Sequence, residues 1–195
     1  PHHPQLHRQN RRQRQMCIRD RNKTWRIIME IKTLEVKNLS HYARGSEETP
    51  CYNATVYING KKAIEISNDG RGGMDMQHQY DGFEHGIVQQ ANEWCKKKFG
   101  KESFTYQSDG KEEVCSYDID LEQHCHKVLY DWIDTKLLKK DLKKQWLFVE
   151  KGQLMGYKRK GNDTDTAFKH FFEKNHPNEK CLNFLPFDDA LKMFK

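Results

Sequence analysis

Apolar positions along this chain follow two rhythms, and their alternation predicts most of the secondary structure. Residues 30–36 alternate polar and apolar side chains, the period of a half-buried strand. Residues 52–58 repeat that period, with Tyr52, Ala54, Val56 and Ile58 on one face. Asn59-Gly60 follows, the preferred pair for a two-residue type I′ turn, because both positions need positive φ. Ala63, Ile64 and Ile66 continue the returning strand, and a further strand is expected over 74–80. The rhythm then changes. Phe83, Ile87, Ala91, Trp94 and Cys95 recur at helical spacing, so residues 83–98 are expected to form an amphipathic helix that stops at Gly100.

The longest helix is predicted over 118–144. Leu121, Cys125, Val128, Leu129, Trp132 and Ile133 make one stripe, extended by Leu137 and Leu142, and Asp118 or Asp120 can cap its start. Between the helices, residues 101–117 are polar and interrupted at Asp109-Gly110. They are read as a loop with a short extended piece at 104–106. Beyond the long helix, residues 146–149 and 154–158 flank a turn and predict a second hairpin. Thr164 or Asp165 can cap a helix bearing Ala167, Phe168, Phe171 and Phe172, which His176-Pro177 ends. Residues 181–184 are expected to form a short strand and 185–194 a terminal helix, with Pro186 in its first turn.

The elements do not alternate β-α-β, so a doubly wound sheet is disfavoured. The expected class is α+β: an antiparallel, hairpin-rich sheet packed by two amphipathic helices, with a C-terminal β-hairpin and short helices.

Composition alters this picture at the N-terminus. The formal charge of +6 invites a nucleic-acid partner. Eight of the 34 basic residues, but only one of the 28 acidic residues, lie in residues 1–28. The remaining chain is 26 basic against 27 acidic, a net of −1. Residues 11–21 resemble translated sequencing adapter over all eleven positions. Trp25-Arg26 can encode a purine-rich ribosome-binding sequence just ahead of Met29. Residues 1–28 are therefore read as a non-native leader, expected to be disordered, and 29–195 as a single domain starting at Met29.

Candidate chemistry is sparse. With residues 1–28 and their Cys17 set aside, five of the six cysteines remain, Cys51, Cys95, Cys115, Cys125 and Cys181, an odd number that matches no disulfide or zinc spacing. His124 and His126 are two apart on a helix and diverge, so they cannot chelate one ion together. Cys125 lies on the apolar stripe, and His78 and His85 have no carboxylate at a meaningful spacing. No metal and no cofactor are expected. Lys96, Lys97 and Lys98 end one helix, and Lys136, Lys139, Lys140, Lys143 and Lys144 crowd the end of the other, where cations complement the helix dipole. No apolar run approaches the ~20 residues of a membrane helix, so a cytoplasmic protein of a bacterial host is expected.

One stretch suggests a specialised backbone. Ser67-Asn68-Asp69-Gly70-Arg71-Gly72-Gly73 permits left-handed conformations and close approach by another group. Its consecutive N–H groups could form an anion-binding nest, with Arg71 adding a bidentate contact. Asn68, Asp69, Gly70, Arg71, Gly72 and Gly73 are the candidate anion or partner site. The spacing is neither a P-loop nor a dinucleotide fingerprint, and a tight turn packed on its own chain is the competing reading.

Three motifs occur in order: Ser46-Glu47-Glu48-Thr49-Pro50, the Asn59-Gly60 hairpin running into the glycine loop, and Leu185-Pro186-Phe187-Asp188-Asp189-Ala190-Leu191. Together they resemble a group of small proteins carried by bacteriophages and related mobile elements. The resemblance covers most of 29–195 and carries over no activity, ligand or catalytic residue. The function expected is that of a non-catalytic accessory protein binding a host or phage macromolecule, with a protein as the partner. The alternatives are a small anion- or nucleotide-binding domain or enzyme using residues 68–73, and a weak nucleic-acid binder using the two lysine clusters.

Overall fold

The computed structural model describes residues 29–195 except Glu84, Asp109 and Asn162. Residues 1–28, on which the leader reading falls, lie outside the described residues. Contacts divide the chain after Ile31, and the architecture below is that of Lys32–Lys195.

Four antiparallel strands make the main sheet in the order β1-β2-β3-β4: Leu34–His41, Tyr52–Ile58, Lys61–Asn68 and Met76–Gln79. Asn59 and Gly60 both take positive φ, 50° and 79°, so the β2–β3 turn is the type I′ hairpin expected of that pair. The Asn59 side-chain oxygen also accepts the N–H groups of Lys32 and Thr33, tying the chain ahead of β1 to the hairpin. Register pairs Tyr52 with Asn68 and Val56 with Ile64, and a bulge follows Val56. Tyr52, Ala54, Val56, Ile58, Ile64 and Ile66 are all buried.

Helix α1 spans Ile87–Phe99 and α2 spans Leu121–Lys144. Ile87, Ala91 and Cys95 of α1 and Leu121, Cys125 and Leu129 of α2 are buried, as the apolar spacing requires. Helix α1 packs on β3, β4 and α2, while α2 also reaches β1. The start of α2 is capped by Asp120, whose carboxylate accepts from the N–H of Gln123 at 3.0 Å. Among the described residues no helix is long and apolar enough to cross a membrane.

Residues 101–117 depart from the expected loop. They belong to an antiparallel hairpin, β5 (Lys101–Ser108) and β6 (Lys111–Asp118). Its side chains are exposed on both faces, so no face had to be apolar and the alternation that marks a strand is diluted.

The C-terminal third builds its own core. Strands β7 (Gln145–Glu150) and β8 (Gln153–Lys158) pair, followed by α3 (Asp165–Asn175) and α4 (Phe187–Phe194). Thr164 caps α3 through the N–H of Ala167 at 3.2 Å. Residues 181–184, expected as a strand, form a 3-10 turn over Leu182–Phe184, with one bridge from Cys181 to Phe148. The reason is Asn183. Its oxygen accepts the N–H of Leu147 at 2.8 Å, and its amide donates to the carbonyls of Leu142 and Gln145 at 3.0 Å each. That clamp joins the end of α2 to β7 and holds the segment in a turn. Leu138, Leu147, Leu182 and Ala190 pack beside it. Trp146 stacks on Phe168 at 4.3 Å, and the Arg159 guanidinium lies 3.7 Å from the Trp146 ring.

Candidate functional site

The polar centre of the molecule is assembled from the end of the main sheet and the first turns of α2. Tyr52 on β2 and Asn68 on β3 are cross-strand partners and so project from the same face of the sheet. Asp75 follows the glycine loop just before β4. Glu122 and His126 lie one helical turn apart on α2, the i,i+4 spacing that brings two side chains together.

These residues meet at the Asp75 carboxylate, which is fully buried. Tyr52 donates its hydroxyl to Oδ2. The Asn68 amide donates to Oδ1 at 3.0 Å. His126 Nε2 stands 3.3 Å from Oδ1 and 3.2 Å from Oδ2. An ionised carboxylate only accepts, so Nε2 carries the hydrogen and donates. The Tyr52 and His126 rings also meet edge to face, centroids 5.7 Å apart.

The electrostatics follow from burial and these bonds. Burial pushes the Asp75 carboxyl upward, but hydrogen bonds from His126, Tyr52 and Asn68 outweigh it and hold the group below its ordinary value. The bond to Asp75 raises His126 above its ordinary value, against the opposing effect of burial. Glu122 is raised, first by burial and then by the Asp75 charge. Burial, followed by the bond to Asp75, keeps the Tyr52 hydroxyl protonated. The cluster thus holds an anionic Asp75, a basic imidazole and a second carboxyl that resists ionisation.

Asn68 links this centre to the glycine loop. Its oxygen accepts from Thr49 Oγ1 at 2.7 Å and from the N–H of Gly70 at 2.9 Å, and its amide also reaches the Gly73 carbonyl at 3.2 Å. The Gly70 carbonyl accepts from the N–H groups of Glu47, Glu48 and Thr49. The Gly72 N–H donates to Thr49 Oγ1 at 3.2 Å, and the Arg71 N–H donates to Asp69 Oδ1 at 3.1 Å. Two of the three sequence motifs are therefore interlocked, 46–50 against 67–73. Gly70 lies so close to its neighbour that a Cβ there would stand 2.0 Å from the Gly45 carbonyl oxygen.

Of the candidate residues Asn68, Asp69, Gly70, Arg71, Gly72 and Gly73, the structure brings Asn68 into the buried cluster. The N–H groups of Gly70, Arg71 and Gly72 donate to acceptors of their own chain. Arg71 is exposed, and its side chain has no ion pair among the described residues. The third motif lies apart from this site: Leu185, Phe187, Ala190 and Leu191 pack in the C-terminal core.

Asp75 and Glu122 are not among the residues the sequence singles out, and His126 enters there only as diverging from His124. The spacing shows no acid/base pair, whereas the fold makes one from residues 51 positions apart. His124 and His126 do diverge: His124 stacks on Phe99 at 4.4 Å while His126 turns to Asp75. The one local signal was Glu122 and His126 at i,i+4. No protein-family model, curated protein or solved structure matches the chain.

Proposed function

We propose that this is a non-catalytic accessory protein of a bacteriophage or mobile element that binds another protein in the bacterial cytoplasm, and that hairpin β5–β6 is its docking element. The supporting observation is the hairpin's exposure. It packs chiefly on itself, yet Phe104 is 51%, Tyr106 43% and Val114 70% exposed. A two-stranded sheet is marginal in water, and each of its outer edges offers unpaired N–H and C=O groups to a further strand. Register places Phe104, Tyr106 and Tyr117 on one face, where their rings touch. A partner strand or apolar surface laid on that face gains both main-chain bonds and aromatic burial.

The two alternatives draw less support. Three amides of the 68–73 loop already donate within the chain, which weighs against an anion nest there. Lys96 pairs with Glu93, Lys136 lies 3.6 Å from the Trp132 ring, and Lys139 lies 5.1 Å from the Phe187 ring. These lysines are engaged locally rather than held ready for phosphate.

The test is affinity capture from bacterial lysate with the wild-type chain beside a Phe104→Ser/Tyr106→Ser variant of unchanged circular dichroism. A partner held by the wild type and lost from the variant is expected. No specific partner, or one retained equally by both chains, removes the proposal.

A further inference from the structure

The structure assigns to Asp75, Glu122 and His126 a second property: together they form a binding site for one divalent transition-metal ion of the Mn2+ or Zn2+ type.

Geometry carries this inference. One carboxylate oxygen from Asp75, one from Glu122 and one imidazole nitrogen from His126 all lie within 4.8 Å of one another. Ligand atoms around such an ion stand roughly 3–3.5 Å apart at the usual metal–ligand lengths, so small side-chain rotations close the set. The three donors come from supports that do not need to move. Glu122 and His126 share one face of a 24-residue helix, and Asp75 is held by Tyr52 and Asn68, which occupy its carboxylate from the protein side. Hydrogen bonding of a ligating carboxylate by such neighbours is the usual support of a metal site.

The arrangement also leaves an entrance. The Asp75 side chain is wholly buried, but that of His126 is 20% exposed, so the cluster reaches the surface on the imidazole side. Three protein donors leave at least one coordination position for water. The Asp75 and Glu122 carboxyls and the His126 imidazole thus crowd one small space, where the Asp75 charge opposes ionisation of Glu122. A dication takes the place of the Nε2 hydrogen bond: an imidazolium releases its Nε2 proton to solvent and keeps the Nδ1 hydrogen, whereas a neutral ring carries its one hydrogen on Nδ1, so that Nε2 is free to coordinate.

The donor set decides which ion. Imidazole with two carboxylates suits borderline transition ions. Ca2+ asks for six to eight oxygens, and Mg2+ keeps most of its waters in near-ideal octahedral geometry. No thiolate belongs to the donor set, and the buried Cys125 thiol is held protonated by burial.

The experiment is titration of the chelator-treated full chain with Mn2+, followed through the electron paramagnetic resonance signal of the free ion. Mn2+ is chosen over Zn2+ because the chain carries free thiols. One Mn2+ per chain is expected, together with a rise in Tm and much weaker binding of Mg2+ and Ca2+. Glu122→Gln and His126→Ala are each expected to lower Mn2+ affinity at least tenfold, while Asp69→Asn, outside the cluster, leaves it unchanged. Glu122→Gln preserves the bonds among Tyr52, Asp75 and His126, so its effect is separable from loss of fold, which circular dichroism monitors. Less than one equivalent bound by the wild type, or unchanged affinity in either Glu122→Gln or His126→Ala, overturns the assignment.

Discussion

His126 of α2 donates its Nε2 hydrogen to the carboxylate of Asp75, joining the long helix to the segment that follows the glycine loop, 51 residues earlier in the chain. The pair has a definite pH signature in chelator-treated protein. His126 is raised in the fold, so its contribution is fully present below its ordinary value of 6.5 and is lost as pH rises through the folded value. Asp75 is lowered, so its contribution is present above its ordinary 3.8 and is lost as pH falls through the folded value. Glu122 is raised by burial and by the Asp75 charge, so its ionisation as pH rises costs stability. Denaturant unfolding at a series of pH values is expected to show a maximum in the mildly acidic range. His126→Ala is expected to abolish the decline above pH 6.5 and to cost about 1–3 kcal/mol at pH 6, since Asp75 keeps two of its three donors.

Gly70 and Gly60 both take positive φ, 86° and 79°, but only Gly70 is crowded. Gly60→Ala is expected to cost about 1–2 kcal/mol, the conformational penalty alone. Gly70→Ala adds a steric clash with the Gly45 backbone, and a loss of about 2–4 kcal/mol is expected. Thermal or urea unfolding of the two variants side by side reads the difference.

Asn68 makes four hydrogen bonds, two through its oxygen and two through its amide. Asn68→Ala is expected to cost about 2–3 kcal/mol by leaving buried partners unmatched. Asn68→Asp replaces the donating amide with an oxygen opposite the Asp75 carboxylate and the Gly73 carbonyl. At pH 7 it is expected to be the worse of the two variants, and it should recover part of its stability as pH falls toward 4. Equal stability of Asn68→Asp at both pH values contradicts that account.

Cysteine reactivity is expected to follow burial. Cys115 on β6 is exposed, whereas Cys95, Cys125 and Cys181 are buried. Burial, with the Asp120 charge adding to it, pushes the Cys95 thiol up to about 12, and Cys125 is raised by burial in the same direction. Among the cysteines of the described residues, alkylation of the native protein followed by peptide mapping is expected to label Cys115 first and Cys51 more slowly. Cys95, Cys125 and Cys181 are expected to react only after unfolding.

The sequence by itself determined what acts over a few residues. Asn59-Gly60 dictates its turn because two adjacent positions need positive φ. Capping narrows the starts of α2 and α3 to two nearby candidates each, Asp118 or Asp120 and Thr164 or Asp165, of which the structure uses Asp120 and Thr164. The apolar stripe from Leu121 to Leu129 settles which face of α2 is buried. The α+β class followed from the order of such local signals. Hairpin β5–β6 fell outside them, because a strand pair exposed on both faces imposes no apolar period.

Tertiary structure alone decided the rest. Spacing along the chain shows Glu122 and His126 one turn apart, but nothing near them in sequence supplies the third partner. Asp75 becomes that partner because antiparallel pairing sets Tyr52 beside Asn68, and the glycine loop returns the chain to the same end of the sheet. The need for glycine at position 70 likewise belongs to Gly45, 25 residues away, whose carbonyl fills the space a side chain would take. Local rules of backbone and periodicity cannot see a neighbour brought in by folding, and both the buried carboxylate and the crowded glycine owe their character to such neighbours.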